Sequence, residues 1–240
     1  MKSPQRPNYG IDAPRMGFTI LLVVLLAALA GYILRMGTSE LARAVSGIIF
    51  SLLPTGILLL LLIVLYVTRE KFRHRDRILN MVSWKGNEQV LDIGTGKGLL
   101  MIGAAKRLTT GKSVGIDIWN RNDLSNNSVA SAMRNAKLEQ VQDKVEIKNA
   151  DARQIPFADQ TFDYVLSNLC LHNIDAPEGR QSACREIVRV LKPGGTALVA
   201  DFMHTKEYAA TFRLLGLEVH RSYSLLIAPV MLFIVKAKKK

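Results

Sequence analysis

Three glycines at alternating positions end an apolar run near the middle of the chain. The stretch 90–98 reads VLDIGTGKG, and it places Gly94, Gly96 and Gly98 directly after residues with the pattern of a buried strand. A glycine loop in this position lets the backbone approach a nucleotide-like ligand closely, because no Cβ atom stands in the way. The loop therefore predicts a cofactor site, with the carboxylate of Asp92 two residues ahead of it.

The spacing of the glycines separates two classes of cofactor. The nicotinamide fingerprint is GxGxxG, and Leu99 occupies the place of its third glycine here. The third glycine falls one residue earlier, which gives GxGxG. The spacing thus argues against a nicotinamide oxidoreductase.

Polar residues also follow the next apolar runs. Asp117 closes the run SVGID, Asp151 stands in NADA after KVEIKN, and Asn168 follows FDYVLS. A carboxylate can accept two hydrogen bonds from a vicinal diol, so Asp117 suits a ribose. The neighbouring Ile118 or Trp119 offers apolar surface to an adenine ring, and packing in the core is the alternative for both.

Strand and helix patterns alternate from residue 86 onward, and such alternation predicts a parallel sheet with helices on both faces. The expected helices include 124–138 and 177–191, and the KPGG stretch at 192–195 predicts a stop and a turn. Two late strands, expected at 217–223 and 231–236, read as a hairpin. The predicted fold is α/β and doubly wound, with a mostly parallel seven-stranded sheet and a late antiparallel strand. Ligands of such sheets bind at the carboxyl ends of the strands.

In this order the motifs resemble those of the class I S-adenosylmethionine-dependent methyltransferases. The stretch RVLKPGG at 189–195 is similar to a signature of the small-molecule types, including those of ubiquinone and menaquinone biosynthesis. The resemblance covers about residues 80–238. It implies a Rossmann-like fold, S-adenosylmethionine as cofactor, and a cofactor site formed by Asp92, Gly94, Gly96, Gly98, Asp117, Ile118, Asp151, Ala152 and Asn168.

The resemblance also implies individual roles. Asp117 would hold both ribose hydroxyls, Asp151 would meet the adenine amino group, and the Ala152 amide would donate to a ring nitrogen. Asp92 would contact the ammonium group of the cofactor through water. Each of the three acids also has a purely structural alternative. Asp117 would be a solvated strand end, Asp151 a loop cap, and Asp92 a support of the loop.

Residues after the fourth and fifth strands should meet the methyl acceptor. His172, Asp201 and His204 are the candidate catalytic residues there. A histidine has a suitable pKa for a general base, although a base is needed only where the acceptor must lose a proton. Ordering of a loop is the alternative role for His172.

The two cysteines, Cys170 and Cys184, have no metal-ligand spacing and are expected to be buried free thiols. They are too few for the thiol set used in arsenic methylation. No metal site is therefore predicted.

Two uncharged apolar segments precede this domain. Residues 18–34 and 44–67 are long enough to cross a bilayer as helices. Five basic residues follow the second segment, and the positive-inside rule puts them in the cytoplasm. We predict a membrane hairpin over residues 1–77, with spans at 18–34 and 44–67 and a basic juxtamembrane linker at 68–77. A cytoplasmic methyltransferase domain over 78–240 follows. A cleaved signal peptide is the alternative for the first segment.

The net charge of +12 divides evenly, with +6 on residues 1–77 and +6 on residues 78–240. The domain is therefore only mildly basic, and the basic linker suits anionic lipid headgroups better than nucleic acid. The expected protein is a methyltransferase at the cell membrane, multi-pass, that acts on a small and lipophilic acceptor. A protein or RNA methyltransferase and an inactive S-adenosylmethionine-binding module are the alternatives.

Overall fold

The structure, a computed structural model, describes residues 6–10, 14–120, 124–224 and 231–240 of the chain. The helices are α1 (Pro14–Met36), α2 (Glu40–Leu65), α3 (Lys71–Leu79), α4 (Leu99–Ala105), α5 (Val129–Leu138), α6 (Pro177–Val190) and α7 (Thr205–Leu214). The strands are β1 (Gln89–Ile93), β2 (Lys112–Asp117), β3 (Val145–Asn149), β4 (Phe162–Asn168), β5 (Leu191–Asp201), β6 (Glu218–Tyr223) and β7 (Phe233–Lys238).

The strands form one seven-stranded sheet in the order β3-β2-β1-β4-β5-β7-β6. The neighbours among β1 to β5 are parallel, and β7 lies antiparallel between β5 and β6. The predicted doubly wound, mixed sheet with a late antiparallel strand is confirmed. The chain order reverses between β1 and β4, so the carboxyl ends of these two strands flank the position where such sheets bind ligands.

Both faces of the sheet are buried, because successive residues of a strand point to opposite sides. Leu91 of β1 and Val165 of β4 belong to one apolar cluster, which also includes residues of α6 and α7. Their neighbours Val90 and Leu166 belong to a second cluster with residues of α3 and α4. The apolar runs of the sequence therefore require helices on both faces.

Two predicted boundaries differ from the structure. The helix expected over 124–138 begins only at Val129, because the Ser128 side chain caps it and accepts a hydrogen bond from the backbone N–H of Ser131 at 3.2 Å. The KPGG stretch lies inside β5 instead of in a separate turn. Gly194 has φ +78° there and its N–H donates to Lys239 O at 3.0 Å, while the register between β4 and β5 shifts. The turn signal thus produced a bulge within a strand.

Helices α1 and α2 form a hairpin with small residues at its contact. The buried Ser46 hydroxyl donates to Gly31 O at 2.8 Å, and a Cβ atom at Gly56 would lie 2.6 Å from Val24 Cγ2. Two helical segments, Phe18–Met36 and Glu40–Leu79, are long and apolar enough to cross a membrane. Most of their large apolar side chains are exposed in the isolated chain.

The second of these segments continues without a break from α2 into the domain. A π-helical turn at Tyr66–Glu70 joins α2 to α3, and α3 packs against α4. The basic residues of this stretch lie on two different faces of the helix, one exposed and one buried, because residues four apart share one side of a helix. Arg69, Arg73 and Arg77 are exposed, whereas Lys71 is buried. Only part of the segment predicted as a juxtamembrane strip is therefore open to its surroundings.

Residues 6–10, which we call the N-terminal strap, lie against the methyltransferase-like part of the chain. Tyr9 is 6% exposed and packs with Phe72, Met101 and Ile102 in a third apolar cluster. The Tyr9 hydroxyl donates to Glu139 at 3.0 Å. The Asn8 N–H donates to the side chain of Asn135, which in turn donates to Asn8 O. The strap thus precedes α1 in sequence but belongs to the fold of the domain.

Candidate functional site

A cavity of about 520 Å³ lies at the carboxyl ends of the central strands. Its volume is within the range typical of small-molecule sites. The structure brings eight of the nine predicted cofactor residues into its wall, namely Asp92, Gly94, Gly96, Asp117, Ile118, Asp151, Ala152 and Asn168. The ninth, Gly98, lies outside the wall and takes φ +84° where α4 begins. We infer that Gly98 serves the turn of the loop.

The glycine loop is held by backbone hydrogen bonds to the end of β2. The N–H groups of Gly94 and Thr95 donate to Ile116 O at 2.8 and 3.0 Å. Gly94 and Gly96 have φ values of +70° and +54°, which side chains other than glycine rarely adopt. The loop therefore presents backbone to the cavity, as its composition predicts.

Gly94→Ala should abolish cofactor binding while leaving a folded protein. A Cβ atom at this position would lie 2.5 Å from the Cβ atom of Cys170 and still closer to its Sγ. The clash and the left-handed backbone would push the loop or the Cys170 segment into the cavity. Calorimetry with S-adenosylmethionine should detect no binding. Gly216→Ala is the matched control, since Gly216 also has positive φ but has open space around it. Equal binding by both variants would contradict the role assigned to Gly94.

Asp117 joins the glycine loop to the cavity wall. Its Oδ2 atom accepts from the N–H of Gly96 at 2.8 Å, and its Oδ1 atom accepts from the N–H of Trp119 at 2.6 Å. The Asn127 side chain also donates to Oδ1 at 3.4 Å. A carboxylate has about four acceptor positions, so at least one stays available for a hydroxyl group. The geometry is compatible with the ribose role predicted from the sequence.

Asp92 is a buried carboxyl group in the cavity wall. Its Oδ2 atom accepts from Thr95 Oγ1 at 2.8 Å and from the Met101 N–H at 2.9 Å. Burial raises the pKa of Asp92 to about 7, although the two hydrogen bonds oppose this shift. Close to neutral pH, a cation in the cavity would therefore favour loss of the proton and gain a buried countercharge.

Asp92→Asn should raise the melting temperature of the free protein above neutral pH. Because the folded-state pKa lies above the ordinary value of 3.8, ionisation destabilises the wild-type fold as the pH rises from about 4 to about 7. The variant loses no stability over this window, and the asparagine oxygen can still accept from Thr95 and Met101. Melting curves of the two proteins should converge near pH 4 and separate by several degrees near pH 8.

The same variant should bind S-adenosylmethionine more weakly near pH 8, since a neutral amide cannot pair with the cofactor's ammonium group. Wild-type affinity should fall as the pH is lowered through about 7, and that dependence should be missing in the variant. Asp143→Asn, at an exposed site, is the control. A pH dependence that persists in Asp92→Asn would show that another group is responsible.

The far end of the cavity includes the residues predicted to meet adenine. Both carboxylate oxygens of Asp151 are held by the Arg153 side chain, at 2.6 to 3.1 Å, and these hydrogen bonds lower the pKa of Asp151. Ile118 lies in the wall and is 62% exposed. Trp119 does not line the cavity. Of the two residues proposed for the adenine face, the structure therefore favours Ile118.

Asn168 is oriented by a histidine from outside the predicted domain. His74 on α3 lies with Nε2 3.0 Å from Asn168 Oδ1 and with Nδ1 3.0 Å from Ser224 Oγ. Burial lowers the pKa of His74 to about 4, so the ring is neutral at pH 7. Since the amide oxygen only accepts, the His74 Nε2–H donates to it and the Ser224 hydroxyl donates to Nδ1. The arrangement leaves the Asn168 amide NH₂ group for the cavity.

None of the three candidate catalytic residues lines the cavity. His172 and Asp201 lie together behind its wall, with His172 Nδ1 2.8 Å from Asp201 Oδ1 and the His172 N–H donating to Oδ2 at 3.2 Å. His204 is the N-cap residue that precedes α7, and its Nδ1 lies 3.7 Å from Glu207 Oε2. Their catalytic role stays a prediction. The geometry of His172 and Asp201 supports the alternative, in which they order the segment of Cys170 and Asn173 that does line the cavity.

The cysteines also differ from expectation in one respect. Neither is in a disulfide, and Cys184 is buried as predicted, whereas Cys170 is partly exposed in the cavity wall. Among the described residues, no cluster of histidine, cysteine or acidic side chains could hold a metal ion.

Sequence reasoning missed several polar residues of the wall, among them Lys97, Asn127, Tyr9 and Lys71. Lys97 lies within the glycine loop and could have been found from its position there. Asn127 stands in the segment expected to be helical, and Tyr9 and Lys71 flank the hairpin of α1 and α2. No local pattern links these last two to the cavity. Lys71 reaches it from α3, where its Nζ donates to Gly10 O at 2.6 Å and so fixes the strap.

Comparisons with known proteins agree with this geometry. Residues 91–199 match the model of a family described as a methyltransferase domain. The chain is 34% identical over 134 residues to 27-O-demethylrifamycin SV methyltransferase of Amycolatopsis mediterranei. This match covers 55% of this chain and 44% of that protein. It is 35% identical over 124 residues to demethylmenaquinone methyltransferase of Lactiplantibacillus plantarum, with coverage of 51% and 48%. The segment 91–199 is therefore similar to a methyltransferase domain.

The fold of the methyltransferase domain also agrees with solved structures. A SAM-dependent methyltransferase from Aquifex aeolicus superposes with a TM-score of 0.55 at 20% identity, over 69% of this chain and 89% of that chain. The matches support the class I methyltransferase family, and the matched segment is that of an enzyme with S-adenosylmethionine as cofactor. The chain spans about half the length of the curated relatives it matches.

The residues of the methyltransferase domain fit this cofactor. Asn127 is 5% exposed, and its Oδ1 atom is buried in the cavity wall without a hydrogen-bond partner in the described part of the chain. Such an orphaned acceptor is costly unless a ligand donor reaches it. A Cβ atom at Gly96 would lie 2.8 Å from Leu124 Cδ2, so the loop needs glycine for its close approach. Hydroxyl and ammonium donors can therefore find acceptors at Asn127, Asp117 and Asp92.

Proposed function

We propose that the protein is a membrane-anchored methyltransferase that moves a methyl group from S-adenosylmethionine to a small, lipophilic acceptor. One observation carries the proposal: the cofactor cavity is bounded by residues from both ends of the apolar hairpin. Tyr9 precedes α1 and Lys71 follows α2, and both line the cavity together with the glycine loop. A cavity held this close to two exposed apolar helices is suited to an acceptor that is itself dissolved in a bilayer.

The contribution of the chain to the reaction is positioning. S-adenosylmethionine supplies a methyl group bound to a sulfonium sulfur. The leaving group of the transfer is a neutral thioether, so no acid is needed. Alignment of the acceptor in a site shielded from water then provides most of the rate enhancement. Asp92 and Asp117 anchor the cofactor end of the cavity, while Asn168 and Cys170 lie at the carboxyl end of β4, where the acceptor would enter. His172 and Asp201 order this segment.

Membrane insertion of the hairpin is supported by the exposure of its side chains. Phe18, Leu25 and Leu29 of α1 and Ile48, Leu52 and Leu61 of α2 are each more than half exposed in the isolated chain. An apolar surface of this size is unfavourable in water and requires a cover. A bilayer is the natural one, because the helices have the length to cross it. Burial of Tyr9 in the domain supports retention of the first segment, since a cleaved signal peptide would remove the strap.

Docking of the strap also predicts the topology. Because residues 6–10 and the domain are in contact, both ends of the hairpin must lie on the same side of the membrane. Thr38→Cys, in the loop between α1 and α2, should therefore react with a membrane-impermeant maleimide added to intact cells. Lys240→Cys should react only after the cells are opened. Labelling of both positions from the same side would overturn the hairpin. Wild-type protein is the control, because it reports labelling of the native cysteines alone.

The acceptor class is supported by the relatives as well as by the site. Demethylmenaquinone methyltransferase of Lactiplantibacillus plantarum carries in its name a lipid-soluble quinone. A ring with an isoprenoid tail could enter between the domain and the bilayer, while its reacting atom reaches the cavity. We therefore propose a lipophilic ring compound as the first acceptor to test.

Transfer of a radiolabelled methyl group tests the function. Full-length protein in its native membrane is incubated with labelled S-adenosylmethionine, and lipid, soluble metabolite and protein fractions are counted separately. Label in the lipid fraction supports the proposal. Label in the protein fraction, or in added RNA, would replace it by a macromolecular acceptor. Cofactor binding without label in any fraction would indicate an inactive binding module. Gly94→Ala serves as the background control in each fraction.

A further inference from the structure

A second cavity, of about 290 Å³, opens beside the cofactor site and shares Lys97 with it. We call it the basic cleft. Three cationic side chains line it, from the strap (Arg6), the glycine loop (Lys97) and α5 (Arg134). No carboxylate is among its lining residues in the described parts of the chain. Nothing in the proposed methyl transfer uses this cleft.

Lys97 is the most informative of the three cations. The residue is only 4% exposed. Among the residues that the structure describes, its ammonium group has no hydrogen bond or ion pair. Burial lowers the pKa of Lys97, as expected for a desolvated ammonium without a countercharge. Buried charges in proteins are normally paired, so an unpaired one at the base of a cationic cleft points to an anionic ligand.

The first turn of α5 adds to the positive potential. Asn126 and Ser131, which flank the start of this ten-residue helix, line the cleft. The first turn has no acidic residue to neutralise the positive end of the helix. A helix start of this kind attracts anions through its free N–H groups and its dipole.

The combination of cations favours phosphate over a carboxylate. Two arginines offer planar pairs of donors that match phosphate oxygens, and a lysine adds a compact charge. A phosphate group with about two negative charges would balance most of the charge of the three side chains. The cleft also has room for more than the phosphate group itself.

We propose that the basic cleft binds a phosphate group, carried either by a lipid headgroup or by a small phosphorylated molecule. Arg6 lies only a few residues before α1, so the cleft is next to the point where the chain enters the proposed membrane span. Bound phosphate would join the strap to the glycine loop and to α5. The proposal rests on this cluster of cationic side chains and does not depend on methyl transfer.

Binding of inorganic phosphate to the full chain, purified in a neutral detergent, tests the proposal. Phosphate should raise the melting temperature more than chloride at equal ionic strength, and calorimetry should give a saturable dissociation constant. The double variant Arg6→Gln/Arg134→Gln should weaken that constant at least tenfold, as expected when charge-assisted hydrogen bonds are lost. Lys206→Gln/Arg213→Gln, two exposed positions on α7, is the matched control and should bind like wild type.

Two results would overturn the proposal. One is the absence of any stabilisation by phosphate beyond that of chloride. The other is an equal loss of binding in the control variant, which would mean a response to overall charge. Lys97→Met adds a test of the buried ammonium and should abolish phosphate binding. A Lys97→Met protein with a normal melting temperature and unchanged phosphate affinity would also contradict the assignment.

Nanodiscs of two lipid compositions distinguish a lipid headgroup from a small phosphorylated molecule as the source of the phosphate. In phosphatidylcholine discs, wild type should respond to added phosphate as it does in detergent. If phosphatidylglycerol discs remove that response in wild type, the site is occupied by a lipid headgroup. If the response persists in phosphatidylglycerol, the site belongs to a soluble phosphate compound. A response in neither type of disc, combined with none in detergent, would overturn the cleft as a phosphate site.

Discussion

Asp117→Ala should weaken S-adenosylmethionine binding by about 100-fold or more, with little change in the unfolding of the domain. The carboxylate is the predicted partner of the ribose hydroxyls, and each hydrogen bond to a charged group contributes about 1.5–3 kcal/mol. Loss of two such bonds corresponds to at least two factors of ten in affinity, each about 1.4 kcal/mol. The variant also loses the acceptor for the Gly96 N–H, which holds the glycine loop.

Calorimetry with full-length protein in detergent measures this effect. Asp117→Asn is the informative companion, because its oxygen can still accept from Gly96 while its NH₂ group opposes the Trp119 N–H. It should bind with intermediate affinity. Asp143→Ala, at an exposed acid, controls for a change in net charge. An unchanged dissociation constant for Asp117→Ala would remove Asp117 from the cofactor site.

Tyr9→Ala should destabilise the domain by about 3 kcal/mol, although Tyr9 lies outside the family match. The side chain is 6% exposed, packs edge-on against Phe72 at a centroid distance of 5.7 Å, and lies among apolar residues of α4. Its removal leaves a hole beside the cofactor cavity, which Tyr9 also lines. We therefore expect a lower melting temperature together with a weaker affinity for S-adenosylmethionine.

Tyr9→Phe separates packing from hydrogen bonding. It removes only the hydroxyl that donates to Glu139, so the loss should be about 1 kcal/mol and cofactor affinity should stay close to wild type. Melting curves and calorimetry on the same preparations check both variants. If Tyr9→Ala melted like wild type, the strap would not be part of the folded domain.

The glycine loop and the sheet were predictable because their signals are local. The residues VLDIG both form β1 and begin the loop, Asp117 is the last residue of β2, and Asp151 lies just after the end of β3. Parallel strands then bring their carboxyl ends together without further information. Eight of the predicted cofactor residues consequently share one cavity wall.

The remaining features depend on contacts that no local pattern encodes. Asn8 and Asn135 are 127 residues apart, and His74 reaches Asn168 across 94 residues. Leu124 fits the apolar spacing of a helix, but the cap at Ser128 starts α5 later, and this leaves Asn127 free to enter the cavity. The late helix start is thus one reason why a wall residue escaped prediction.

The strap has a consequence for how the protein is made. Residues 6–10 are synthesised before both apolar helices, whereas the surfaces that they bind, on α4 and α5, are synthesised after them. In the proposed membrane topology, the strap can therefore reach its binding surface only when both ends of the hairpin lie on one side of the bilayer. A chain in which only one of the two helices crossed the bilayer would leave Tyr9 and its binding surface on opposite sides of it. If the proposed topology holds, correct insertion is a condition for a complete cofactor cavity, which Tyr9 lines.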